Sequence, residues 1–259
     1  MKQQRKKLGL VLGAGAARGF AHIGVIQSFL EHGLPIDVLT GTSMGALLGG
    51  VYATGTDINY IADFSQNVAV SRFLDFSLKD GGIVRGRKVE ALMRVLTGNK
   101  SIEQLPIPFA CAAINVQTGQ VEVFKRGGLY EAIRASISMP GIFAPYTIGD
   151  ACYIDGGTLA RMPIAAAKEL GADVTVAVDV SWRGQTLPLP KNSIGVLQNA
   201  LSIAAWYVSS RQEKQADVLL TPDVFATNPF SAKECAFCIA QGRAAADAKI
   251  EEIRALLEA

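Results

Sequence analysis

Apolar positions along the chain switch between helical spacing and short unbroken runs, and the switches mark out its elements. Lys7 to Leu12 is a compact apolar run, read as a buried strand, and Phe20, Ile23, Ile26, Gln27 and Leu30 then recur at near-helical spacing. This predicts a helix from about Ala17 to Glu31, stopped by Gly33-Leu34-Pro35. Ile36 to Thr40 reads as a second strand, and Met44 to Ala53 as a helix so uniformly apolar that it must be buried against a sheet. Thr56 to Asn99 is helical and looser. Within it, Phe73, Leu74, Phe76 and Leu78 precede Asp80-Gly81-Gly82.

The second half alternates in the same way. Phe109 to Asn115 and Val121 to Phe124 are strands about a turn at Gln117-Thr118-Gly119, which predicts a hairpin. Leu129 to Ser136 is a short helix, Ala151 to Ile154 a strand that ends at Asp155, and Asp173 to Asp179 a fully buried strand. Ser181 to Ser193, carrying Leu187-Pro188-Leu189-Pro190, is a surface loop. A long helix from Ile194 to about Gln215 follows, with core packing the commoner use for its Trp206 and Tyr207 and a membrane or dimer contact the alternative. Ala216 to Leu220 is a last strand, Phe225 to Ser231 a loop, and Lys233 to Leu257 a single closing helix. Strands interleaved with helices predict an α/β sandwich with a mostly parallel central sheet.

Composition narrows this picture. The 259 residues contain no linker-like stretch and are read as one domain, 1–259, with a C-terminal helical portion at about 194–257. A hydrophobic content of 49% and 26 glycines suit a large sheet core with closely packed helices. The net charge of +2 gives no argument for nucleic acid as a partner. Lys2, Arg5, Lys6 and Lys7 read as a frayed solubilising tail, with weak attraction to anionic lipid as the alternative. The apolar run behind them ends after Leu12 at a glycine-rich turn, so it reads as a strand rather than a signal segment. No run approaches the ~18 apolar residues of a spanning helix. Cys111, Cys152, Cys235 and Cys238 form no spaced framework and read as free thiols of a cytoplasmic protein; no metal or cofactor is expected.

Three motifs sit at element junctions: Gly13-Ala14-Gly15-Ala16-Ala17-Arg18-Gly19, Gly41-Thr42-Ser43-Met44-Gly45 and Asp155-Gly156-Gly157. The second has the G-x-S-x-G form of a strand-to-helix elbow, which lifts a serine hydroxyl out of a sheet toward a carbonyl. Ser43 needs a base, and the only histidines, His22 and His32, both precede it, against the order in which an α/β-hydrolase triad closes on histidine. A carboxylate remains, and Asp155 before two glycines is the best placed. Gly13 and Gly15 let backbone N–H groups of the first loop face an oxyanion, at the positive end of the following helix. A dinucleotide loop is the competing reading, but Arg18 sits where its third glycine belongs, and a phosphate-binding P-loop fails for want of Gly-Lys-Ser/Thr.

The ordered motifs, with Ala135-Ser136-Ile137-Ser138-Met139-Pro140-Gly141-Ile142-Phe143-Ala144-Pro145 before the Asp-Gly-Gly, resemble the patatin-like phospholipases, and among them the short bacterial members related to neuropathy target esterase. The resemblance spans about residues 8–179. It implies a three-layer α/β/α sandwich and a serine acyl hydrolase with a Ser43–Asp155 dyad, acting on phospholipid, lysophospholipid or related acyl esters, with peripheral membrane contact compatible with that substrate. It implies an oxyanion loop of Gly13, Ala14, Gly15, Ala16, Arg18 and Gly19, an elbow of Gly41, Thr42, Met44 and Gly45, and a base motif completed by Gly156 and Gly157. The chain departs from the family at Ala14 and Ala16, where glycine is usual, and at Arg161-Met162-Pro163, where an Asn is usual. A loop position needing positive φ would penalise the added Cβ. Arg18 is expected to anchor the loop through carbonyls or a carboxylate, with a lipid phosphate as the other partner. A catalytically weak, lipid-binding member of the same fold is the alternative function, and Phe73, Leu74, Phe76, Ile142 and Phe143 are the candidates for an acyl groove.

Overall fold

The computed structural model describes residues 5–68, 73, 75–76, 82–187 and 189–259. Leu8, Leu10 and Leu12 of strand β1 (Leu8–Leu12) point into the main core while Val11 points into a second core, so two layers must cover this strand. A 3-10 turn (Ala16–Phe20) leads into helix α1 (Ala21–Glu31); strand β2 (Val38–Thr42) then feeds helix α2 (Met44–Ala53). Helices α3 (Ile58–Asn67) and α4 (Arg87–Leu96) precede the hairpin of β3 (Phe109–Asn115) and β4 (Val121–Phe124). Helix α5 (Leu129–Ser136), strands β5 (Tyr146–Ile148) and β6 (Ala151–Asp155), helix α6 (Ile164–Glu169) and strand β7 (Val174–Val178) follow. Helix α7 (Ser193–Gln212), strand β8 (Val218–Leu220), and helices α8 (Cys235–Asp247) and α9 (Ile250–Glu258) complete the chain.

Strand pairing links one sheet in the order β5-β6-β3-β2-β1-β7-β8, with β4 also on β3. The β3-β2-β1-β7-β8 run is parallel, and β4, β5 and β6 add an antiparallel margin. With α6 covering the Val11 face and α1, α2, α8 and α9 contributing to the main core, the architecture is the three-layer α/β/α sandwich with a mostly parallel sheet that the sequence predicted.

The registers on β3 decide what the fold presents. Ala112 pairs with Thr42 of β2 and Val123 of β4, while Ala113 pairs with Glu122 of β4 and Asp155 of β6. A strand has two edges, so β2 and β6 share one of them, end to end, with β4 on the other. The residue after β2 and the last residue of β6 are thereby brought together.

Several boundaries differ from expectation. The first helix opens as a 3-10 turn, and the second strand starts at Val38 because Asp37 instead takes the Leu8 N–H on its carboxylate and pairs with Arg5. Arg5 forks onto Asp37 at 2.7 and 2.8 Å, so from that residue the basic terminus is docked rather than frayed. The closing helix is two helices, since the chain turns at Lys249 (φ −122°) to bury Ile250, Ile253 and Leu257. Strand β5 and helix α6 had no sequence reading. Neither is Trp206 or Tyr207 a core residue, Tyr207 being 67% exposed. Leu74, Leu78, Asp80 and Gly81 lie outside the described residues. Among the described residues no helix is long and apolar enough to cross a membrane.

Candidate active site

The elbow glycines are explained by contact. A Cβ on Gly41 would lie 2.5 Å from the Gly45 carbonyl, and one on Gly45 would lie 2.1 Å from the Leu12 carbonyl oxygen, so α2 can start this close to β1 and β2 only without side chains there. Thr42 Oγ1 donates to Ala160 O at 2.7 Å, fixing the last strand residue. Ser43 itself sits at φ 55°, ψ −120°, a conformation that costs a non-glycine residue about 1–3 kcal/mol and is held by its surroundings.

Ser43 Oγ donates to Asp155 Oδ2 at 2.5 Å, and both residues are 5% exposed. The other carboxylate oxygen accepts the Gly157 N–H at 2.7 Å. A Cβ on Gly156 would lie 2.6 Å from Ala112 O, so the turn after Asp155 can hug β3 only as glycine. Burial pushes the Asp155 carboxyl up to about 6, against the opposing pull of its hydrogen bonds from Ser43 and Gly157.

The Ser136–Ser138 segment, quoted above only as part of a motif, ties the two together. Ser43 N–H donates to Ser136 Oγ at 2.9 Å while that hydroxyl donates to Ala112 O at 2.7 Å. Two residues on, Ser138 O accepts the Asp155 N–H at 2.9 Å. Ser138 is in turn held by the buried Arg134, whose Nη1 donates to its Oγ at 2.7 Å.

The six positions of the first loop divide by role. Gly13 N–H donates to Val178 O at 3.0 Å and Ala14 N–H to Arg161 O at 3.1 Å, so both are spent on the scaffold. The N–H groups of Gly15 and Ala16 have no acceptor among the described residues, and both residues line the cavity that contains Ser43. Ala16 takes φ 49°, the left-handed region where its Cβ is unfavourable, so the loop reaches its shape despite the alanine. A Cβ on Gly19 would lie 2.5 Å from Met44 Cγ, so this glycine lets the loop pack on the elbow. Arg18 donates through Nη2 to Phe225 O (2.7 Å) and Thr227 O (3.2 Å), and its guanidinium stacks 4.7 Å from the Phe225 ring. It anchors the loop through carbonyls, and they belong to the distant Phe225–Thr227 segment, which the sequence reading did not identify.

Sequence reasoning set His22 aside as a base and gave it no other task. The ring is fully buried, its Nε2 lies 2.8 Å from Gly13 O, and Nδ1 has no partner among the described residues. Burial lowers the imidazole to about 4, so the ring is neutral and donates from Nε2 to the carbonyl at the root of the loop. Arg161, at a departure from the family pattern, is buried at the cavity wall beside the buried Asp179 (3.5 Å), which also pairs with Arg183 at 3.0 Å.

Ser43 and Asp155 open into a cavity of about 770 Å³ walled by the first loop, the loops around Trp182–Lys191 and Phe225–Phe230, and the inner face of α7. A second cavity of about 130 Å³ lies among α2, α3 and α4, lined almost wholly by apolar residues including Phe20, Met44, Leu47, Phe73 and Met93. The five residues proposed for an acyl groove are not assembled into one. Phe73 lines the second cavity, Phe76 is 71% exposed, Phe143 packs against the main core with its ring 5.4 Å from the Arg134 guanidinium, Ile142 lines neither cavity, and Leu74 falls outside the described residues.

Comparison with known proteins gives consistent results. Residues 10–168 match the family described as Patatin-like phospholipase. An uncharacterized NTE family protein of Mycobacterium tuberculosis (strain ATCC 25618 / H37Rv) is 40% identical over 178 residues, covering 68% of this chain and 49% of that protein. A Lysophospholipase NTE1 of Coccidioides immitis (strain RS) is 36% identical over 181 residues, covering 68% of this chain and 12% of that protein. The chain thus spans about half the length of the mycobacterial relative and far less of the fungal one. In fold, VipD from Legionella pneumophila superposes with a TM-score of 0.65 at 15% identity over 96% of this chain and 67% of that one. The type III effector ExoU superposes with a TM-score of 0.50 at 14% identity over 95% of this chain and 53% of that one.

Proposed function

Because this chain belongs to the patatin-like phospholipase family, we propose that it hydrolyses carboxylic esters of lysophospholipids and related lipids, with Ser43 as nucleophile and Asp155 as its base. The observation that carries the reading is the 2.5 Å hydrogen bond from Ser43 Oγ to Asp155 Oδ2, between two largely buried residues at the floor of the cavity. A carboxyl held near 6 is ionised at pH 7 yet about two pH units more basic than an ordinary aspartate, which is the direction a general base needs. Oγ attacks the ester carbon as its proton passes to Oδ2. The carbonyl oxygen takes the negative charge and faces the N–H groups of Gly15 and Ala16. Collapse of the tetrahedral adduct expels the alcohol, which leaves with the proton from Asp155. Water then gives a proton to Asp155, attacks the acyl-serine, and the proton returns to Oγ as the fatty acid departs.

Two features support a lipid acyl group. The large, partly polar cavity at Ser43 is assigned to the alcohol portion, and the apolar cavity lined by Met44, next to Ser43 in sequence, to the acyl chain. The relative named a lysophospholipase is in line with this substrate class. Four free cysteines among the described residues, Cys111, Cys235 and Cys238 of them buried, support a reducing cytoplasmic setting. The test is fatty acid release from lysophosphatidylcholine and from nitrophenyl esters. Efficiency should rise by about fourfold per added methylene as the chain lengthens from two to about eight carbons, below micelle formation. A flat series with no fatty acid released would leave a small-ester hydrolase or a lipid-binding member of the family.

A further inference from the structure

Helix α7 wears its apolar side outward. A surface helix ordinarily turns its apolar stripe to the core and its polar side to water. Here Val196, Ala200, Ile203 and Tyr207, spaced i, i+4, i+7, i+11, are all exposed, with Leu197, Ala204 and Val208 exposed beside them. The opposite face, with Gln198, Asn199, Leu201, Ser202 and Ala205, lines the cavity that holds Ser43 and Asp155, so the amides of the helix turn inward while large apolar side chains stand outside. Gln198 Nε2 also donates to Pro140 O at 2.9 Å. No charge occurs in the helix before Arg211. Two more apolar side chains, Leu189 (90% exposed) and Phe230 (58% exposed), stand on the two loops that line the same cavity.

We propose that this face, α7 with Leu189 and Phe230, docks the protein on an anionic lipid bilayer so that the cavity mouth opens onto the membrane surface. The proposal rests on the ester hydrolase reading for its purpose but not for its test. From Val180 to Gln212 the sequence has three basic residues, Arg183, Lys191 and Arg211, and no acidic one, and the second rim loop from Val224 to Ala232 has no charge at all. Arg183 is committed to the buried Asp179, whereas Lys191 is exposed at the mouth itself. An outward-apolar face free of charge, with the exposed Lys191 at the cavity beside it, matches the two layers of a bilayer surface, acyl boundary and anionic headgroup. A second copy of the chain seated on the same face would cover the mouth and shut the site it borders, which argues for lipid as the occupant. Both tryptophans of the chain lie here. Trp182 and Trp206 meet edge to face at 5.4 Å, and Trp206 meets the exposed Tyr207 at 5.1 Å.

The experiment floats the Ser43→Ala chain with phosphatidylcholine vesicles, with and without about one-third phosphatidylglycerol, and follows tryptophan emission on binding. Expected are co-flotation, a blue shift, and about fivefold stronger binding to the anionic vesicles for each basic residue that reaches the surface. The double variant V196D/I203D, altered only at exposed positions outside the cavity wall, should lose tenfold or more of the binding, an order-of-magnitude expectation. With Ser43 present it should hydrolyse a monomeric nitrophenyl ester at the unaltered rate. Equal flotation of parent and double variant, or no flotation with either vesicle, would overturn the docking proposal. So would a concentration-dependent dimer abolished by V196D/I203D, which assigns the face to a second copy. Vesicle binding that V196D/I203D abolishes, in a chain that hydrolyses no ester, would uphold docking and remove the hydrolase reading alone.

Discussion

The frame that holds Ser43 and Asp155 and the rim that covers them enclose one cavity but are built on opposite plans. In the frame, the sheet backbone with one side-chain tie does the positioning: β2 and β6 meet on one edge of β3, the Ser138 carbonyl takes the Asp155 N–H, and the Ser136 hydroxyl takes the Ser43 N–H. In the rim, an outward-apolar helix and two loops are pinned at separate points, by Gln198 on Pro140 and by Arg18 on Phe225 and Thr227. Strain follows the same division. Of the non-glycine residues with positive φ, Ala16, Ser43 and Asn99, two belong to the frame and none to the rim among the described residues. The contrast teaches that the geometry of Ser43 and Asp155 is fixed by close backbone approach, at positions where a Cβ would not fit, while the rim is held by a few side-chain ties.

The largest expected effect breaks the frame without altering its shape. Asp155→Asn should lower kcat/KM by about 10³-fold, within the range that a positioned base supplies, while His22→Gln, which keeps a donor for Gly13 O, should cost less than about tenfold. A larger loss from His22→Gln than from Asp155→Asn would exchange their roles. In the unaltered chain kcat/KM should rise with pH and reach half its plateau near pH 6, because Asp155 must be ionised to accept the Ser43 proton.

Stability should carry the same group with the opposite sign. The folded carboxyl titrates near 6 and the unfolded one near 3.8, so between those values the folded chain binds more protons and Asp155 contributes stability at low pH that is lost as pH rises through 6. Relative to Asp155→Asn, the unaltered chain should gain about 2 kcal/mol between pH 7 and pH 4, measured by urea unfolding. A difference curve flat across that range would mean that Asp155 is not held uphill by burial. On the acyl side, Ser65→Phe, placed to fill the apolar cavity, should cut efficiency on an eight-carbon ester about tenfold while sparing a two-carbon ester. Equal losses on both would take the chain out of that cavity. The smallest effect concerns strain. Ala16→Gly should raise stability by about 1 kcal/mol with activity retained, since glycine removes the Cβ penalty at φ 49°. A destabilised variant would show that the alanine methyl is needed in the loop.

The frame was legible in the sequence because its motifs are statements about contact. Gly41, Gly45 and Gly156 each stand where a Cβ would strike backbone, and such positions show through as fixed glycines around a serine or an aspartate. The strands themselves, buried on both faces, read as short unbroken apolar runs. What the chain did not disclose was the meeting of β2 and β6 on β3, a three-way register between segments far apart in sequence, nor which loop N–H groups stay free once Val178 O and Arg161 O have taken theirs. The work of Ser136, Ser138 and His22 was hidden for the same reason. The rim was illegible for another: α7 is apolar on one face and uncharged on the other, so periodicity could not say which side meets the core, and its aromatics were read as core packing first, with a membrane or dimer contact as the alternative. The acyl groove was sought among Phe73, Leu74, Phe76, Ile142 and Phe143 as apolar residues near glycines; of these Phe73 lines the apolar cavity, which is otherwise assembled chiefly from α2, α3 and α4 with Phe20, and Leu74 lies outside the described residues.

The pairing of Ser43 with Asp155 as nucleophile and base is tested most directly by a fluorophosphonate probe and intact-mass measurement. An activated serine facing oxyanion donors attacks phosphorus as it would an ester carbon, so the unaltered chain should gain the mass of one adduct, mapped to Ser43 by peptide sequencing. Asp155→Asn should label slower by about 10²-fold or more, and Ser43→Ala, folded by circular dichroism, should not label at all. Full labelling of Ser43→Ala, or labelling of Asp155→Asn at the unaltered rate, would contradict the account.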